Sequence, residues 1–176
     1  MSTKLYVRIE DPKLIGGFTM REATIDDYAS SISTEDKLQL GHTALSETFN
    51  KGDAITSPNE MKLYLANKIA KLEREEFGVI FGDNQHRIIA EEVLFTGTVN
   101  ACNIHPREII KRSLELNAAC IWVYHNHPSG DATPSQADRR ITRQLIDALS
   151  LMEIRILDHM VVGGNEVVSF AERGWI

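Results

Sequence analysis

The chain has 176 residues, 43% of them apolar and 25% charged, an ordinary globular mixture long enough for one domain with a buried core and an additional arm. A net charge of −6 runs against a protein that holds nucleic acid chiefly through phosphate contacts, and leaves only local patches such as Arg139, Arg140 and Arg143 for that purpose. Two cysteines, Cys102 and Cys120, stand outside any C-x-x-C pair, which excludes a disulfide framework and a cysteine zinc cluster; with no signal-peptide pattern and no run near the ~18 apolar residues of a membrane span, a cytoplasmic protein without membrane contact is expected.

In chain order, KLYVRI (4–9) reads as a short strand and IGGF as a turn. STEDKLQLGHTALSETF (33–49) reads as a helix, with Ser33 as N-cap and Asp36 three residues later. NKGD then breaks the chain, so residues 1–52 are expected to form an arm with one helix and residues 53–176 the main domain. SPNE is a capping box with Pro58 at the first helical position, followed by an apolar face of Met61, Leu65, Ile69 and Leu72. EFGVIFGD and RIIAEEVLF (87–95) read as two strands of a hairpin turning through GDNQHR. HPREIIKRSLEL (105–116) opens a helix at Pro106, and AACIWVYH is a buried central strand. The next helix, TPSQADRRITRQLIDALSLM, is expected to have Thr133 as N-cap, Pro134 at N1 and Gln136 at N3. IRILDHMVVGG and EVVSF close the chain as a hairpin through GGN. Strands interleaved with helices predict an α/β layered domain with a mixed sheet.

Two histidines, His125 and His127, stand at the mouth of the central strand. Residues i and i+2 of a strand share a face, roughly 6–7 Å apart at Cα, so both imidazoles can reach one ion through zinc–nitrogen bonds of about 2.0–2.1 Å. The plain alternative is two polar residues at a strand end, bonded to water or backbone. Downstream, a buried stripe of Ile141, Leu145 and Leu149 extends backward to Asp138 and then to Ser135. Helix capping is the other reading of Asp138, but a helix capped by Thr133 would place it past the first turn. An inward carboxylate needs a compensating charge. Two His and one Asp on zinc leave one position open for water, the pattern of a catalytic site, and zinc lowers the pKa of that water toward neutrality. LEREEF supplies candidates for the general base: Glu75 shares a strand face with Phe77, Val79 and Phe81, Glu76 falls on the other, and Glu73 lies just before. All three also read as ordinary surface carboxylates. Neither H-E-x-x-H nor the zinc deaminase pattern occurs.

The run HNHPSGDATPSQAD resembles the JAMM motif of JAB/MPN metallopeptidases: H-x-H, seven residues, Ser, two residues, Asp. The longer series FTGTVN, HPREI, HNHPSG, PSQAD, LDHMVVG and SFAERGWI resembles the RadC-type branch over about residues 57–176. The resemblance implies a three-layer α/β/α sandwich with a mixed sheet, similar to the cytidine-deaminase-like fold. It implies that His125, His127 and Asp138 hold zinc, that an upstream glutamate activates water, and that Ser135 helps stabilise the oxyanion. The glutamate's position relative to VIFGD makes it Glu75, with Glu73 and Glu76 as its acidic neighbours. The implied activity is metal-assisted cleavage of a peptide or isopeptide bond in a peptide or protein substrate.

Other segments carry two readings each. His105 either lines the site or starts a helix. Asp158 and His159 either stand behind the zinc ligands or form a satisfied core pair. Asn126 replaces the Ser or Thr common between the histidines of eukaryotic relatives, as is usual in the RadC-type branch. Many RadC-type chains carry an N-terminal helix-hairpin-helix region associated with DNA, and the first 50 residues show no convincing version of it. The leading functional reading is a zinc hydrolase. A nucleic-acid-associated protein of repair or mobile-element type is the second, and a catalytically silent scaffold, which would have lost metal ligands, is the third.

Overall fold

The structure is a computed structural model that describes residues 5–10, 18–23, 32–97 and 104–176. The chain divides into two units, Met1–Gly41 and His42–Ile176. In the first, β1 (Leu5–Glu10) pairs antiparallel with β2 (Phe18–Ala23), Leu5 opposite Ala23. The first strand matches the expectation and the second was not foreseen; residues 15–17 of the expected IGGF turn lie outside the described residues. Helix α1 (Thr34–Thr48) starts where expected, because Ser33 Oγ accepts the Asp36 N–H at 3.0 Å and donates to Asp36 Oδ2 at 2.7 Å.

In the second unit, α2 (Pro58–Ile69) is capped by Ser57, whose side chain accepts from the Glu60 N–H. It is followed by β3 (Glu76–Gly82), β4 (Ile88–Thr96), α3 (Pro106–Glu115), β5 (Cys120–Asn126), α4 (Gln136–Ser150), β6 (Arg155–Gly163) and β7 (Glu166–Ser169). The sheet order is β4-β3-β5-β6-β7, with β5 and β6 parallel and every other pair antiparallel. A parallel pair needs a crossover, and α4 supplies it.

Every residue of β5 is buried, which explains its unbroken apolar run. On one face Trp122 and Tyr124 pack with Met160, Val162 and the Met61, Leu65, Ile69 side of α2. On the other, Ile121 and Val123 pack with Phe77, Val79, Phe81, Ile109 of α3 and Leu145 and Leu149 of α4. The domain is therefore the expected three-layer α/β/α sandwich around a mixed sheet.

One helix start differs from expectation. Helix α4 begins at Gln136 with Ser135, not Thr133, as its N-cap. The Thr133 N–H is taken by Asp131 Oδ1 at 2.8 Å, so residues 131–133 form a turn. Pro134 holds the residue before it out of helical geometry. Ser135 and Asp138 then satisfy both halves of a capping box, and that pairing sets the frame.

Candidate metal centre

The shift in helix frame brings Asp138 to N3 while keeping it on the buried side of α4. His125 lies near the end of β5 with 1% of its surface exposed. His127 lies just beyond the strand, its N–H bonded to Val162 O at 2.7 Å. The short loop back to α4 brings the Asp138 carboxylate against the two imidazoles. His125 Nε2 is 3.0 Å from His127 Nε2, His125 Nε2 is 3.4 Å from Asp138 Oδ1, and His127 Nε2 is 3.5 Å from Asp138 Oδ2. Bonds of about 2.0–2.1 Å to a tetrahedral zinc put ligand atoms roughly 3.3–3.4 Å apart. These approaches fall around that value, each histidine meeting a different oxygen of Asp138, and one ligand atom from each residue lies within 4.8 Å of the others, so the residues fit a single metal ion.

The remaining ring nitrogens are occupied. His127 Nδ1 lies 2.7 Å from the Asp131 carbonyl, which can only accept, so Nδ1 carries the hydrogen and Nε2 presents a lone pair. His125 Nδ1 lies 2.9 Å from His159 Nε2, which leaves Nε2 as the nitrogen facing the cluster. Asp138 Oδ2 accepts from both the Ser135 N–H at 2.6 Å and the Ser135 hydroxyl at 2.7 Å, and the Asp138 N–H returns to Ser135 Oγ at 3.1 Å. Oδ1 is the less committed oxygen.

The two imidazoles and the carboxylate shift one another's titration. Burial would raise the Asp138 carboxyl, but the His125 and His127 imidazoles facing it outweigh that and hold the group far below the usual carboxylate range. The hydrogen bond to Asp138 raises His127 above the ordinary imidazole value against the effect of burial, and Glu75 adds a weaker push in the same direction. Glu75 is therefore near enough to His127 to act on it through space. Glu75 directly precedes β3 and is half-buried, as is Glu76, whereas Glu73 is exposed.

Two residues that the sequence did not single out as functional organise this region. Asn126, between the two histidines, is 1% exposed. Its Oδ1 accepts the Glu76 N–H at 2.8 Å, and its Nδ2 donates to Arg74 O at 3.0 Å and to Leu72 O at 3.2 Å. Its carboxamide thus grips the backbone on both sides of Glu75. Thr142, one turn after Asp138, is the inward residue at a level where Ile141 was expected; Ile141 is only partly buried. The four-residue step from Asp138 was the available signal.

The candidates behind the ligands separate. His159 is fully buried against His125, and burial drives its pKa well below the ordinary value. Asp158 points to the other face, consistent with strand alternation. There it accepts from the Ser169 hydroxyl at 2.6 Å, the Ala171 N–H at 2.9 Å and the His159 N–H at 2.7 Å. Burial raises its pKa against those bonds, and it is a satisfied core group. His105 is exposed, is the N-cap residue of α3 without a side-chain cap, and stacks edge-on with Phe95. Among the arginines considered for nucleic acid, Arg139 lies 3.7 Å over the Trp175 ring.

A mixed sheet between two helical layers, with a His-His-Asp cluster at the end of its central strand, defines an α/β domain of the JAB/MPN kind. Comparison with known proteins narrows this. The RadC-like JAB domain pattern matches residues 55–175. The chain is 55% identical over 148 residues to UPF0758 protein VP0184 of Vibrio parahaemolyticus and to a UPF0758 protein of Vibrio campbellii, covering 84% of this chain and 66% of each relative. It is 52% identical over 139 residues to UPF0758 protein PBPRA0202 of Photobacterium profundum, covering 79% of this chain and 62% of that protein. The chain belongs to the RadC-like JAB domain family, and its match spans about two thirds of the length of these relatives. Among the described residues, no helix is long and apolar enough to cross a membrane.

Proposed function

We propose that this chain is a zinc-dependent hydrolase of the JAMM type that cleaves a peptide or isopeptide bond. The observation that carries the reading is the convergence of two imidazoles and one carboxylate, with 3.0 Å between the histidine Nε2 atoms, 3.4 Å from His125 Nε2 to Asp138 Oδ1 and 3.5 Å from His127 Nε2 to Asp138 Oδ2. His125, His127 and Asp138 would hold the ion, and three protein ligands leave room for a fourth. Zinc bound there would supply a Lewis acid that polarises a carbonyl and activates water.

The chain's own residues supply the proton handling. Glu75 takes the proton of the attacking water and delivers it to the departing amine, and its charge also favours the cationic site beside His127. Asn126 keeps the Glu75 backbone in place. In the resting arrangement the Ser135 hydroxyl hydrogen is committed to Asp138 Oδ2. To stabilise the substrate oxygen as it gains charge, Ser135 rotates away from that bond and donates to the substrate instead.

The test begins with elemental analysis of the purified chain and of His127→Ala. The wild type should carry zinc near one equivalent and the variant little. Zinc-loaded wild type is then incubated with a mixed peptide library read by mass spectrometry, beside Glu75→Gln. That variant should keep zinc and lose turnover. Absence of metal from the wild type, or full turnover in Glu75→Gln, would refute the assignment.

A further inference from the structure

His125 begins a chain of hydrogen bonds that returns to another candidate ligand. Its Nδ1 meets His159 Nε2 at 2.9 Å, His159 Nδ1 meets Thr142 Oγ1 at 2.6 Å, and Thr142 Oγ1 meets the Asp138 carbonyl at 2.6 Å. A helical threonine bonded to the carbonyl four residues back is common and means little by itself. Here the same hydroxyl also takes a buried imidazole nitrogen, and that fixes the hydrogens from Thr142 to His125 Nδ1 when His159 is neutral.

The carbonyl of Asp138 can only accept, so the single hydroxyl hydrogen of Thr142 must point to it. Thr142 Oγ1 must then accept, and His159 Nδ1 carries a hydrogen. A neutral His159 therefore has a bare Nε2, which accepts from His125 Nδ1–H. In a neutral His125, Nε2 then keeps its lone pair, directed at the cluster of His127 Nε2 at 3.0 Å and Asp138 Oδ1 at 3.4 Å. The contacts are direct and shielded from bulk solvent: His159 is 0% exposed and Thr142 2% exposed. The His159 ring is packed between Phe77 and Phe170, at centroid distances of 5.7 and 4.6 Å.

We propose that Thr142 and His159 are positioning residues of the metal centre, which fix His125 in its metal-binding tautomer and tie that choice to the placement of Asp138. This rests on the metal reading proposed above. The circuit spans three elements: His125 on β5, His159 on β6, and Thr142 with Asp138 on α4. Asp138 closes it by offering its carboxylate to the ion and its carbonyl to Thr142. A hydrogen moved to the wrong nitrogen of either ring would put an N–H where the ion belongs. Groups that orient a metal-bound histidine in this way typically change metal affinity 10–100-fold when removed.

Two measurements test the proposal. In the metal-free wild type, side-chain nitrogen-15 NMR should show hydrogen on Nδ1 of both His125 and His159; hydrogen on Nε2 of His159 overturns the circuit whether or not metal binds. Zinc affinity is then measured by chelator competition for wild type, Thr142→Val and Thr142→Ser, with cobalt absorption spectra as a reading of ligand geometry. Thr142→Val should bind roughly 10–100-fold more weakly with an altered cobalt spectrum, and Thr142→Ser should return close to wild type. Unchanged affinity and spectrum in a folded Thr142→Val overturns the positioning role while leaving the metal site standing. Failure of the wild type to bind zinc at all removes the metal reading itself. Should Thr142→Val not fold, the tautomers of the wild type decide the matter.

Discussion

Asn126 holds Glu76 through a 2.8 Å hydrogen bond from the Glu76 N–H to its Oδ1, and the same carboxamide donates to Arg74 O at 3.0 Å. Glu75 therefore sits in a short bridge whose two ends are fixed from the strand between the two histidines. Asn126→Ala removes three backbone contacts at once, and each buried group left without a partner costs about 1–3 kcal/mol. The expected result is a less stable protein with faster hydrogen exchange at the Glu76 amide and an unchanged zinc stoichiometry. Exchange at Glu76 as slow as in wild type would mean that Asn126 does not hold this segment.

Ser135 has two separable duties under the reading offered here, and substitutions can tell them apart. As N-cap of α4 it accepts the Asp138 N–H at 3.1 Å. Removing a serine cap costs about 0.5–2 kcal/mol, whereas asparagine caps about as well as serine. Ser135→Ala should therefore lower both stability and turnover, while Ser135→Asn should restore stability. If the hydroxyl also serves the substrate oxygen, Ser135→Asn remains slow. Turnover that recovers in step with thermal stability would leave Ser135 as a cap alone.

The candidate ligand set is legible in the sequence because short-range periods encode it. His125 and His127 are one strand period apart, and Asp138 continues the apolar stripe of its helix. The start of that helix was misplaced because T-P-S-Q offers two overlapping capping frames. Only the turn made by Asp131 with Thr133 shows which one forms. Asn126 and Thr142 were missed for a different reason. Their defining partners lie 50 residues away for Asn126 with Glu76 and 17 residues away for Thr142 with His159. No local pattern records a contact made only when distant strands align. The sheet alternation that sends His159 toward the ligands and Asp158 away from them is likewise settled by register with β5.

On the opposite face of the sheet, Tyr64 and Tyr124 donate to the two oxygens of Glu91 at 2.5 and 2.6 Å, with Lys68 2.8 Å from the same carboxylate. Burial, reinforced by Glu91, raises both phenols above the ordinary value of 10.0. A group with a raised folded pKa contributes stability that is fully present below its unfolded value and lost as pH climbs from there toward the folded value. Stability should hold to about pH 10 and then fall by up to about 1.4 kcal/mol per pH unit for each tyrosine. Urea unfolding between pH 8 and 11 should show a shallower alkaline fall for Tyr124→Phe than for wild type. Parallel curves would show that Tyr124 does not contribute to the alkaline loss.

Gly163 ends β6 against the loop that carries Asp131, and a Cβ there would stand 2.3 Å from Ala132 N and 2.5 Å from the Asp131 carbonyl carbon. The backbone of the loop, not the tip of a flexible side chain, would have to move. That backbone holds His127, since the Asp131 carbonyl takes the Nδ1 hydrogen at 2.7 Å. Overpacking of this kind costs about 1–3 kcal/mol, and the displaced carbonyl should also release the His127 ring. Gly163→Ala is therefore expected to lower the melting temperature and to weaken zinc binding beyond the effect of a control substitution of equal stability cost on the α2 face, such as Ile69→Val. Chelator competition gives the reading. A destabilised Gly163→Ala protein that binds zinc as tightly as that control would show that His127 keeps its aim without the Asp131 carbonyl.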